Sequence, residues 1–264
     1  MKGPSLLMGQ YRQSDSFVHR LDPRSKLLSV FIVAFALFFV ASPATLAMSA
    51  CYFAAAIAFS NVPLSVLAKS LKPIMWFVIA FALLQVIVTR EGQLVFQLFG
   101  WPVYAEGLAE GGILAWRTLC LFLAATLLTM TTSPLHITWA IESLLKPLKA
   151  VKFPVSDLAM MMSITLRFIP ILSGELYTIS RAQAARGIGV RDLPFMKRVL
   201  AYVPLLVPLF VRSLKRAEEL AQAMEARGYS RNRERSSWKT NQWAFKDTYA
   251  LLVSATVAFL LAWF

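Results

Sequence analysis

Ile164-Thr165-Leu166-Arg167-Phe168-Ile169-Pro170 opens a helical pattern that closes on Ala185-Arg186-Gly187. Tyr202-Val203-Pro204-Leu205-Leu206-Val207-Pro208 opens a second, which closes on Ala226-Arg227-Gly228, 41 positions after the first triplet. An apolar, proline-punctuated start and an identical ending mark a degenerate repeat of one helical element. The rest of the chain reads as a frame that holds these two helix ends beside a membrane.

Of the 264 residues, 58% are hydrophobic, and the mean hydropathy is +0.60. Soluble domains run at roughly 45–50% apolar residues. The net charge is +13, although charged residues make up only 16% of the chain, so the basic groups are gathered between greasy segments. That pattern is membrane topology rather than nucleic-acid binding. Cys51 and Cys120 both lie inside apolar runs, which indicates neither a disulfide framework nor a metal site. Met1 to Gln10 lacks the apolar core and small-residue cleavage site of a signal peptide. The expected class is an all-α integral membrane protein, with about five transmembrane helices and long, crossed, amphipathic coupling helices in the cytoplasm.

Working outward from the repeat, the N-terminal tail, residues 1–26, ends in Asp22-Pro23, a helix-start signal. Arg24 and Lys26 follow, as a basic cluster expected to snorkel toward lipid headgroups. A four-span bundle is expected over 27–131, with spans at Leu27–Ala41, Ala44–Phe59, Pro73–Thr89 and Leu108–Met130. Ser42-Pro43 makes an uncharged outer turn, and Gly100-Trp101-Pro102 reads as a turn and interfacial anchor. Lys69 and Lys72 mark one side of the membrane, while Glu91, Glu106 and Glu110 mark the other. Thr131 to Trp243 holds 17 of the 27 Lys and Arg residues against 8 acids. By the positive-inside rule the N-terminus and residues 132–243 are cytoplasmic, and residues 244–264 form a last span.

Within 132–243, His136 to Lys149 carries Ile137, Ile141, Leu144, Leu145 and Leu148 at helical spacing, as expected of an amphipathic helix at the interface or one packed under the bundle. The first half of Val155–Arg186 is apolar enough to dip into the bilayer. On the second repeat helix, Leu206, Phe210, Leu214, Ala217, Ala221 and Met224 form the stripe expected to be buried on neighbouring helices. Arg212, Lys215, Arg216, Glu218, Glu219 and Glu225 are expected to face away from it.

Catalytic signatures are thin. There is no phosphate-cradling Gly-x-x-x-x-Gly-Lys-Ser/Thr, no His-Glu-x-x-His, and no paired carboxylates within a span. His19 and His136 read as interfacial side chains. Arg117 and Gln85 are the notable polar groups inside the spans, and Arg117 is placed to snorkel outward. The triplets are therefore the candidate site: Ala185, Arg186 and Gly187, with Ala226, Arg227 and Gly228. Arginine suits a helix C-terminus, and glycine suits the left-handed cap after it. Such an end is also a thin, charged tip that can enter a groove and pair with a carboxylate through two N–H groups. Two tips suit a two-fold partner.

Ser16-x-x-His19-x-Leu21-Asp22-Pro23-Arg24-x-Lys26, Thr131-Thr132-Ser133-Pro134 and the paired triplets together resemble the transmembrane T component of energy-coupling factor (ECF) transporters. The resemblance covers nearly the whole chain. It implies a scaffold in a prokaryotic cell membrane that carries the motion of two ABC-type ATPases to a separate small S component, which binds a vitamin or micronutrient. Arg186 would meet one ATPase and Arg227 the other. ATP and Mg would be used by those partners, and this chain would bind no cofactor or metal. Met160, Met161, Met162, Leu206, Phe210 and Leu214 would belong to the platform for the S component. The alternative is a self-contained secondary transporter, or a membrane adaptor without ATPase partners. Inverted repeats of spans and midplane charges would favour the transporter.

Overall fold

The computed structural model describes residues 15–89, 91–98, 101–147, 154–185, 195–230 and 243–264, with backbone alone for 95–98, 101–102 and 195–202. Its order is α1 (Pro23–Ala36), a 3₁₀ turn (Leu37–Phe39), α2 (Pro43–Ser60), α3 (Leu64–Val88), β1 (Leu94–Leu98) and β2 (Trp101–Tyr104). It continues with α4 (Ala105–Thr131), α5 (Pro134–Leu145), α6 (Val155–Ala185), α7 (Phe195–Ala226) and α8 (Phe245–Trp263). The chain is an all-α integral membrane protein with one short hairpin between α3 and α4. Five described helices are long and apolar enough to cross a membrane: α2, α3, α4, α6 and α8. The number matches the expectation, but the membership differs. The first apolar run winds as only 14 α-helical residues before tightening into the 3₁₀ turn, whereas α6 is a continuous helix of 31 residues.

The hairpin corrects the reading of Trp101-Pro102 as a turn. Both residues pair across the sheet, Trp101 with Leu98 and Pro102 with Gln97. Aromatic and β-branched residues favour extended backbone, and a two-stranded hairpin is all edge, where proline is tolerated.

The described residues fall into two compact units, one running to Leu144 and taking in the C-terminal segment from Trp243, the other running from Leu145 to Ser230. In the first, α1 packs on α8, α3 on α4, and α2 on both α4 and α8. Val33, Ala36, Leu37, Val40, Phe53, Cys120, Ala124 and Leu261 form its core. The α3–α4 contact depends on Gly107 and Gly111, one turn apart. A Cβ on Gly111 would lie 2.8 Å from Val86 Cγ2 and 2.9 Å from the Ala82 carbonyl; one on Gly107 would lie 3.0 Å from the Thr89 carbonyl. Small residues four apart let helix backbones approach where no water drives association.

Polar ties finish the bundle. Trp116 Nε1 donates to Ser49 Oγ at 2.9 Å, and Tyr52 and Ser254 share a 3.1 Å hydrogen bond. Arg117 does not snorkel outward. Its Nε (2.8 Å) and Nη2 both donate to the Val40 carbonyl. That carbonyl ends the 3₁₀ turn, and the chain leaves for α2 at Ser42 and Pro43 before any amide can serve it. Gln85 Nε2 donates to Thr89 Oγ1 and to Glu110 Oε2.

Asp22 caps α1 as expected, accepting the Arg24 amide at 2.8 Å. Asp247 at the start of α8 receives the Asp22 amide at 2.6 Å, Ser25 Oγ at 3.3 Å and the Ala244 amide at 2.8 Å. The expected snorkelling of Arg24 and Lys26 is corrected. Arg24 lies over the Trp139 ring of α5, 4.1 Å from its centroid. Lys26 is 7% exposed, and its ammonium donates to the carbonyls of His19 (3.2 Å) and Thr131 (3.1 Å). A cation on the last carbonyls of α4 meets the negative end of that helix dipole, which rewards burial more than exposure to headgroups would.

Candidate functional site

The second unit contains α6 and α7, which pack on each other. α7 ends in Ala221-Gln222-Ala223-Met224-Glu225-Ala226, residues of high helix propensity apart from the cap that follows. Beyond Ala226 the Tyr229 amide turns back to the Met224 carbonyl at 3.0 Å, and the Gly228 amide to Glu225 at 2.9 Å. Gly228 has φ +75°. This is a Schellman motif, and only glycine takes that conformation without a Cβ penalty. A Cβ at Gly228 would meet nothing within 4 Å, so the demand for glycine is conformational rather than steric. Arg227 sits at the turn with its side chain exposed. Ala226, Arg227 and Gly228 thus form a fixed, projecting end. Ala185 is the last residue of α6 and is exposed; Arg186 and Gly187 lie outside the described residues.

The expected buried stripe of α7 is not the buried one. Leu206, Phe210 and Leu214 are open, Phe210 at 65% exposure, and Ala217 and Ala221 are exposed too. The covered line runs Leu205, Leu209, Ser213, Arg216 and Leu220, one position around the helix, with Leu205 only 4% exposed. Arg216 accounts for the shift. Charge alone predicts an outward side chain, but its Nη2 meets Glu175 Oε1 of α6 at 2.5 Å. On α6, Ile179 is buried, Met160 half-buried, and Met161 and Met162 exposed. Val203, Val207 and Val211 extend the open face of α7 and went unnoticed in the sequence. Their spacing of four along the helix was the available signal. The open side of the pair is thus a broad apolar surface bordered by a charged tip.

The described surface of this unit is apolar along one face of α7 and charged at its end. Among the described residues no three His, Cys, Asp or Glu side chains converge as a metal site would require. What it offers is presentation: an exposed guanidinium on a rigid helix end, and an apolar face for a partner or lipid. Comparison with known proteins then decides the family. The family model described as CbiQ, cobalt transport protein, matches residues 14–238. The energy-coupling factor transporter transmembrane protein EcfT of Bacillus subtilis is 45% identical over 260 residues, covering 97% of this chain and 98% of its own. The chain belongs to the EcfT family. EcfT of Bacillus selenitireducens is 42% identical over 249 residues, covering 94% of this chain and 93% of its own. EcfT of Staphylococcus aureus is 39% identical over 256 residues, covering 97% and 96%. Membership makes the chain a transmembrane component of an ECF transporter. As such it is a transporter subunit, and the repeat that opened the sequence reading lies within its α6–α7 unit.

Proposed function

We propose that the chain is the scaffold through which two ABC-type ATPases drive a substrate-binding S component. The exposed Arg227 on its Schellman-capped helix end is the observation that carries this reading. A side chain held on a turn with two backbone hydrogen bonds keeps its position when load is applied along the helix. Ala226 keeps the approach narrow, and Gly228 turns the chain away. By the repeat, Ala185, Arg186 and Gly187 form the matching tip, so that each arginine meets one ATPase of a homo- or heterodimer. The open face around Met160, Met161, Met162, Leu206, Phe210 and Leu214 is where the S component rests. ATP binding draws the ATPases together, the tips follow, and the shifted platform releases substrate inward.

The catalytic work belongs to the partners. ATP and Mg act in the ATPases, and this chain carries neither nucleotide nor metal. The basic segments set the N-terminus and residues 132–243 in the cytoplasm of a prokaryotic cell, with the bundle in its plasma membrane. The test is reconstitution in liposomes. Uptake of a vitamin or micronutrient should require the chain, two ATPases, an S component and ATP together. Uptake by the chain alone, driven by an ion gradient, would instead establish a secondary transporter.

A further inference from the structure

The ion pair between α6 and α7 occupies a special place in the repeat. Glu175 and Arg216 are 41 positions apart, the offset that separates Arg186 from Arg227. Counted back from the triplets they hold the same position, although the proline-punctuated openings that close on Pro170 and Pro208 are 38 residues apart. Each member also stands 11 residues before its tip arginine in the sequence. Pro170 precedes Glu175, and Pro204 and Pro208 precede Arg216, within their helices. Proline removes a helical hydrogen bond and creates a bend point. The pair thus joins the two post-proline segments, the ones that end in the tips.

The pair is more than a surface contact. The Glu175 side chain is 14% exposed, and its Oε2 is shielded with no hydrogen bond among the described residues. A carboxylate so placed is tolerated only while a cation faces it. Sliding α7 along α6 by one residue, about 1.5 Å, would stretch the 2.5 Å contact between the two side chains. The pair therefore sets the register as well as the contact.

We propose that Glu175–Arg216 is the fulcrum of the coupling unit: it locks α6 to α7 so that the two helices, and whatever each carries at its end, move as one body. This rests on the coupling function proposed above. A symmetric pair of ATPases delivers matched pushes to the two tips. A locked fulcrum converts them into one motion of the platform, whereas an unlocked one lets the helices slip and dissipates the stroke. Opposite charges at equivalent positions allow this lock, since two copies of either residue would repel.

The test uses the full chain in a Cys51→Ser background, because Cys51 is the exposed native thiol. Spin labels at Thr178→Cys and Glu219→Cys, exposed positions also related by the repeat, report the distance between the two helices. The parent should give one narrow distance distribution. The near-isosteric Glu175→Gln should broaden it, and the swap Glu175→Arg/Arg216→Glu should narrow it again. In the reconstituted complex, Glu175→Gln should lower uptake per ATP hydrolysed at least fivefold while the ATPases still co-purify, and the swap should return it to within twofold of wild type. An unchanged distribution in Glu175→Gln overturns the lock. A broadened distribution with normal uptake per ATP overturns the fulcrum role, as does a swap that narrows the distribution without restoring uptake. If the parent chain binds no ATPase, the coupling reading fails, and the distance measurement alone then judges the lock.

Discussion

The four-helix bundle of α1, α2, α4 and α8, with α3 on its flank, consumes its polar groups, whereas the α6–α7 pair displays them. In the bundle Lys26, Arg117 and Asp247 each spend their charge on backbone groups that the fold leaves orphaned. In the pair, Arg216 is spent on Glu175, but Arg227 stands exposed on a capped end. That division is not shared by every apolar side chain: Leu37 and Val40 of the first unit are fully buried, but its Phe35 and Trp76 are as open as Phe210 and Met161 of the second. On the proposed reading the first region is the frame, and the charge left unspent in the second is what a partner would meet. Lipid accounts for open apolar side chains on spans such as α3. It does not account for a rigid charged tip beside them.

That contrast can be broken at graded cost. The largest effect is expected in the frame. Asp247→Ala removes the acceptor of three hydrogen bonds and orphans the Asp22 amide, so it should destabilise by about 3–5 kcal/mol. Thermal unfolding in detergent would show this as a large drop in midpoint. Gly111→Leu should cost about 1–3 kcal/mol by forcing α3 and α4 apart. Gly112→Leu, in open space on the same helix, serves as its control. The smallest effect is expected on the open face. Phe210→Ser should change the stability of the isolated chain by no more than about 0.5 kcal/mol. The same change should weaken capture of the S component, whereas Leu205→Ser, in the covered line, should cost about 2 kcal/mol or more. If Phe210→Ser destabilised the chain as much as Leu205→Ser, the contrast between frame and display would be wrong.

Much of the frame was legible because membranes demand simple local signals. Asp22-Pro23 announces a helix start and acts as one; Ser42-Pro43, read as an outer turn, also caps and opens α2. The paired triplets announced the tip, and Gly228 takes the left-handed conformation that their wording implied. Where the reading failed, a charge had found a partner far away in sequence. Lys26 meets Thr131, Arg117 meets Val40 and Arg216 meets Glu175, so each points inward where its type alone says outward. No local pattern encodes those pairings. Arg216 alone displaced the expected buried stripe by one residue. The hairpin was missed for a different reason: Gly-Trp-Pro reads as a turn unless the flanking β-branched and aromatic residues are weighed with it. Arg186 and Gly187, half of the candidate site, lie outside the described residues.

The central claim is that the two arginine tips carry the contact with the ATPases. Co-purification of the tagged chain with its ATPases, comparing wild type with Arg186→Glu, Arg227→Glu and the double change, tests it most directly. Truncating one partner of a desolvated charge pair costs about 2–5 kcal/mol, so each single reversal should weaken capture by well over tenfold. The double change should abolish capture while the chain stays folded in the membrane. Undiminished recovery of the ATPases with the double variant would contradict the account and reduce the triplets to helix caps.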